Sequence, residues 1–266
     1  MNKTYLVALG ILVAGSVFGG SLPSLLEKPW LGCFVGHEDR GFDFALGTNG
    51  ASQLHFKQGG NRISLFASFK VSYILEEKIG DRWVRRTMGE DGFDSDSKAT
   101  DEPEKVTFTA TYTGDTKVEI THEFEKGEVL MGIKILKKKT DNPIRCGVVV
   151  TIPDLNRGVE ETELSKRDLK RRVDAEVKGE TLEGKRLKAD LYKMPKLGSA
   201  EYFEGGAKTF TFESARIAGR EVTLSLAEEE TGRIDVDQTR PAMHGFSLNW
   251  WPDPEKAGAK LLLEVD

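Results

Sequence analysis

Residues 106–150, VTFTATYTGDTKVEITHEFEKGEVLMGIKILKKKTDNPIRCGVVV, decide the fold. Gly114-Asp115, Lys126-Gly127 and Asp141-Asn142-Pro143 cut the stretch into four runs. Each of these groups favours chain reversal. In the second run Val118, Ile120, His122 and Phe124 alternate with Lys117, Glu119, Thr121 and Glu123. Successive strand side chains point to opposite faces, so this run has one apolar and one polar face, as a half-buried strand requires. The stretch reads as four antiparallel strands in succession.

The same alternation continues on both sides. Upstream, strands are expected at 30–35, 42–46 and 53–57, with one or two in 63–77 and another at 82–88. Downstream they are expected at 173–177, 187–191, 208–212, 221–226, 232–236, 245–251 and 259–265. KVTFTATYTGDTKVEITHEF and KTFTFESARIAGREVTLSL resemble each other as hairpins. Turn signals recur every 8–12 residues or so, the spacing of sandwiches and barrels. The expected fold is all-β, a large antiparallel β-sandwich over 21–266. Two smaller sandwiches divided near Pro153 are the alternative.

Two segments break the pattern. Residues 89–104 are acidic and poor in apolar side chains, which predicts a surface loop. Asp91, Asp94, Asp96 and Asp101 offer the oxygens calcium prefers, but they lack the spacing of the twelve-residue calcium loop, and a solvated loop is the better reading. A helix is considered at 160–172, although Leu164 and Leu169 lie five apart, off a helical stripe. The nearby cations Lys166, Arg167, Lys170, Arg171 and Arg172 are interleaved with Asp168 and Asp174, as on a solvated face.

Residues 1–20 have the form of an export signal: Lys3, then an uncharged apolar run from Leu6 to Phe18, then Val17 and Gly19 at the small-residue cleavage positions. The expected location is periplasmic or extracellular, with membrane attachment only through this segment if it stays uncleaved. The formal charge is −5, which argues against nucleic acid as a partner. Cys33 and Cys146 each sit among alternating apolar neighbours and point toward a core. They read either as a disulfide or as two buried thiols. Two cysteines without clustered histidines make no metal site, and no cofactor is expected.

Candidate chemistry gathers in 235–251, DVDQTRPAMHGFSLNWW. Asp237 and His244 are candidate catalytic residues, as is His122 on its strand. Arg240, Asn249, Trp250 and Trp251 are candidate ligand-binding residues. Aromatic faces meet sugar C–H surfaces, while carboxylate, amide and guanidinium groups hydrogen-bond hydroxyls. Trp250 and Trp251 must point to opposite faces, so one belongs to the core. His37, between charged loop residues, reads as exposed.

The strands of 106–135, followed by DNPIRCGVVVTIP and the closing GFSLNWWPDPEKAGAKLLLEV, resemble the galactose-mutarotase-like supersandwich superfamily. This resemblance implies a carbohydrate-associated β-sandwich, as in epimerases, polysaccharide lyases and accessory domains of glycoside hydrolases. The epimerase's paired histidines and late glutamate have no counterpart by motif, so no catalytic residue carries over. Three functions are therefore in view. The chain is an exported carbohydrate-binding β-sandwich on a glycan, an enzyme of the lyase or sugar epimerase type, or a structural or interaction module of the cell envelope.

Overall fold

The computed structural model describes residues 21–157, 164–227, 232–253 and 258–266. The export segment read at 1–20 and residues 160–163 of the considered helix lie outside the described residues.

Eighteen strands carry the described chain. In order they are β1 (Cys33–Glu38), β2 (Phe42–Gly47), β3 (Ser52–Gln58), β4 (Asn61–Arg62), β5 (Phe69–Ile79) and β6 (Arg82–Arg85). Then come β7 (Met88–Asp94), β8 (Lys105–Tyr112), β9 (Thr116–Glu125), β10 (Glu128–Lys137), β11 (Ile144–Ile152) and β12 (Ala175–Thr181). The last are β13 (Arg186–Asp190), β14 (Ala207–Ser214), β15 (Arg220–Leu226), β16 (Gly232–Asp237), β17 (Phe246–Pro252) and β18 (Lys260–Val265). One helix of seven residues, α1 (Lys166–Arg172), starts at Ser165, whose hydroxyl accepts from the Asp168 N–H at 3.2 Å. Leu169 is its buried residue, and the basic cluster it carries stays exposed.

The pairing is antiparallel and builds one curled sheet with two facing layers. The first layer runs β1–β2–β3–β5–β11–β17–β16. The second runs β7–β8–β9–β10–β18–β15–β14–β12–β13. The single pair Ala207↔Ile234 ties β14 to β16. Strands from before and after Pro153 pair in both layers, β11 with β17 and β10 with β18, so the chain does not build two sandwiches divided there.

Burial follows the alternation. Val118, Ile120, His122 and Phe124 point inward from β9, and Phe44, Phe69, Val71, Val148 and Val150 of the first layer are buried in the same core, with Phe44 against His122 and Phe124. Rings lock the layers together: Phe44 against Phe124 at 5.6 Å, Phe69 against Phe212 at 5.6 Å, and Tyr73 against Phe108 at 6.0 Å. The two resembling hairpins, β8–β9 and β14–β15, flank the central pair β10–β18.

Three expectations need correction. The acidic loop at 89–104 is part strand: β7 pairs with β8, and Thr100 bridges Val35. Backbone pairing there needs little apolar help beyond Phe93, which packs edge-on against Phe108. Trp30 does not begin a strand. It lies in a turn with its ring across Gly36, where an added Cβ would come within 2.1 Å of it. His37 is not simply exposed: its ring lies against Phe42 and Phe124, its Nε2 is buried without a hydrogen-bond partner among the described residues, and burial pushes its pKa down.

Candidate functional site

β11, β16 and β17 end together at one edge of the first layer. Register places Thr151 opposite Ser247, and Ser247 opposite Asp237, so three polar side chains line up across neighbouring strands. Thr151 and Ser247 hydroxyls lie 3.1 Å apart. Past β11, Pro153 cannot donate to a ladder, and the chain leaves the sheet. Asp154 accepts the Asn156 N–H at 2.9 Å, and the Asn156 amide donates to the Met243 carbonyl at 2.8 Å. This staples 153–156 to the short 3-10 turn Ala242–His244.

Gly245 makes the turn fit. Its φ is +94°, and an added Cβ would lie 2.7 Å from the Ile152 carbonyl oxygen. Only glycine meets both demands without strain. The result brings His244 Nδ1 to 3.2 Å from Asp154 Oδ2. Asp154, Asp237, Thr239, Arg240 and His244 then line a cleft of about 340 Å³. Asp237 and Arg240 are exposed, while Asp154 and His244 are half-buried.

The chemistry of this set is that of hydroxyl recognition with proton exchange. Carboxylates accept from hydroxyls and the guanidinium donates to oxygens. In the tautomer that donates Nδ1–H to Asp154, the other imidazole nitrogen carries the proton-accepting lone pair.

Of the residues singled out in the sequence, Asp237, Arg240 and His244 come together here. The others do not line this cleft. His122 is fully buried between the layers, its Nε2 2.5 Å from the Tyr73 hydroxyl and its ring among Phe44, Phe108 and Phe124. Burial pushes its pKa down to about 3. Trp250 is 0% exposed and belongs to the core. Trp251 and Asn249 are on the outer face of the first layer, where Trp251 packs with Ile74 and Val149 and is 8% exposed. The Arg145 guanidinium covers its ring at 3.8 Å. Cys33 and Cys146 are free, buried thiols, and burial pushes Cys146 up to about 12. Among the described residues no group of three or more histidine, cysteine or carboxylate side chains is placed to hold a metal ion, Asp91, Asp94, Asp96 and Asp101 included.

Asp154 was missed because its partner lies ninety residues away in sequence. Pro153 marked the strand end but not the direction of the loop. Thr151 and Ser247 were legible in principle, since each shares the outward parity of its strand.

No protein-family model and no curated protein matches the chain. Solved structures do. An α-N-acetylgalactosaminidase, NagBb from Bifidobacterium bifidum in complex with Gal-NHAc-DNJ, superposes with a TM-score of 0.50 at 12% identity, covering 87% of this chain and 35% of that one. Its quadruple mutant gives 0.51 at 10% identity with the same coverage. A glycoside hydrolase family 97 enzyme from Pseudoalteromonas sp. strain K8, in complex with panose, gives 0.41 at 10% identity, again covering 87% and 35%. The chain thus spans about a third of the length of these proteins. At such identity the likeness is one of fold: the chain shares its β-sandwich architecture with part of a carbohydrate-processing enzyme.

Proposed function

We propose that this chain is an exported carbohydrate-binding β-sandwich, residues 21–266 acting as one body behind an export signal at 1–20, and that the Asp154–Asp237–Arg240–His244 cleft receives the sugar. The convergence of Asp237, Arg240 and His244 on one cleft of about 340 Å³ carries the reading. Carboxylate and guanidinium groups lining one small hollow suit a ligand rich in hydroxyls. Its fold-likeness to part of a glycosidase supports the same class of ligand. A glycan array with the exported form, followed by calorimetry of Asp237→Ala and Arg240→Ala, tests it. Retention of no glycan, or binding indifferent to both substitutions, sinks the proposal.

One observation favours a processing role over binding alone. His244 is hydrogen-bonded to Asp154 with Asp237 in the same cleft, which supplies a base that can take a proton from a sugar carbon, the step with which lyases and epimerases of that type begin. Turnover on a polysaccharide panel that disappears in His244→Gln supports this reading. Absence of turnover with binding intact leaves a binding module.

A further inference from the structure

The outer face of the first layer carries a second, unassigned arrangement. Arg145, on β11, lies between two tryptophan rings, 4.4 Å from the Trp83 centroid and 3.8 Å from that of Trp251. Glu76 accepts from the same guanidinium, at 2.9 Å from Nε and 2.6 Å from Nη2. Gly147 leaves the space the inner ring needs: an added Cβ would stand 2.9 Å from Trp251 Cε3. Stacking and the ion pair therefore hold Arg145, and Arg145 holds Trp83.

Trp83 itself stays 39% exposed at the outer end of the stack. It sits on β6, an edge strand exposed along its whole length. Lys78 is its direct neighbour across the hairpin, and Arg85 shares its face two residues on, opposite Glu76. Arg82 is at the hairpin tip. Lys78, Arg82 and Arg85 form no ion pair among the described residues, whereas Arg86 is taken by Glu77 and Arg145 by Glu76. Arg82 has the opposite parity and points to the other face, so a chain of net charge −5 presents two unpaired cations, Lys78 and Arg85, on the face of one anchored aromatic ring.

From this geometry we infer that the β5–β6 hairpin is a docking surface for an acidic polysaccharide, one bearing uronic-acid carboxylates. The Trp83 ring takes the C–H face of one sugar, and Lys78 and Arg85 take carboxylates along the chain. Ring and cations are matched to that ligand: a guanidinium fork pairs two-for-two with a planar carboxylate. A neutral glycan would leave the cations unused. The inference rests on the proposal that the protein binds glycans, but it concerns a different surface from the cleft.

The experiment compares binding of polygalacturonate and of a neutral galactan to the full-length exported form and to four variants. Trp83→Ala is expected to weaken polygalacturonate binding by about tenfold or more, as loss of a central aromatic anchor does. Trp83→Phe keeps a ring and should retain most of the affinity. The variant Arg85→Gln should lose affinity and show a smaller weakening of binding by added salt. Asp237→Ala should leave this surface unchanged. All these side chains are exposed, and an unchanged thermal midpoint shows that each variant folds. Polygalacturonate binding indifferent to Trp83→Ala, or equal binding of the neutral galactan, overturns the inference while leaving the cleft proposal standing. Binding of neither polymer, with no other glycan retained, overturns both. Capture of anionic lipid vesicles or of DNA in preference to polygalacturonate also overturns it.

Discussion

The Tyr73 hydroxyl lies 2.5 Å from His122 Nε2, a polar contact that crosses the core from β5 in one layer to β9 in the other. It satisfies one imidazole nitrogen, while Nδ1 is buried without a hydrogen-bond partner among the described residues. Tyr73→Phe strips the other nitrogen as well. The expected cost is about 1–3 kcal/mol, the usual penalty for an abandoned buried polar group. Urea denaturation, read as a lower midpoint at unchanged slope, checks it.

Acid should unfold this protein in two stages. Burial keeps the native pKa of His122 at about 3 and that of His55 at about 4, against an ordinary histidine value of about 6.5. Between those limits the unfolded chain binds more protons, so stability is complete above pH 6.5 and declines as pH falls toward the native values. Glu77 adds a second loss. Hydrogen bonds from Asn142, Thr140 and Arg86 hold its carboxyl at about 2, so its contribution is present above about pH 4.5 and disappears as pH falls toward 2. Denaturation midpoints measured from pH 8 to 3 should drop below 6.5 and steepen below 4.5. In His122→Leu the upper limb should flatten. A midpoint independent of pH down to 4 would contradict this account.

Lys57 is buried and paired with Asp43 at 3.1 Å, and Arg62 meets the same carboxylate at 2.5 Å. Glu38 completes the set from a mostly exposed position at 2.5 Å from Lys57. Asp43→Ala removes the buried carboxylate that Lys57 and Arg62 share and leaves the buried ammonium only the largely exposed Glu38, and the expected loss is about 3–5 kcal/mol. Glu38→Ala should cost less than about 1 kcal/mol, because its charge is already in water. The ranking of the two thermal midpoints is the test.

Trp250 and Gly147 probe the first layer from inside and outside. Trp250→Ala removes a fully buried ring and should cost about 3–5 kcal/mol. Gly147→Ala forces a methyl to within 2.5 Å of the Trp250 carbonyl oxygen and should cost about 1–3 kcal/mol by overpacking. By contrast, Asp237→Ala and Arg240→Ala are exposed and should stay within about 0.5 kcal/mol of the parent, so that any loss of sugar binding reports on the cleft alone.

These contrasts show how far parity carries. Val118, Ile120, His122 and Phe124 were assigned to one face by a repeat of two, and that face is the core. Trp250 and Trp251 were assigned to opposite faces, and they are. Parity fixes the side of a sheet but not what lies across it. That Arg145 would cover Trp251, leaving Trp83 as the open ring, depends on register among β6, β5, β11 and β17, and although β5–β6 is a local hairpin, the β5–β11 and β11–β17 pairings join residues 67 to 102 apart. β7 was illegible because its seven residues, MGEDGFD, carry a strand's backbone bonds with only Phe93 strongly apolar near their end. His244 stands out in the sequence and Asp154 does not, and only the folded loops make them a pair.

β18 lies between β10 and β15, in the middle of the second layer, although it follows all the other strands in the chain. Until residues 260–265 have been synthesised, those two strands have no partner to join them, and Leu261 and Leu263 are missing from the interior. Closure then spans more than a hundred residues between Met131 and Leu261, the sort of distant pairing that makes folding slow.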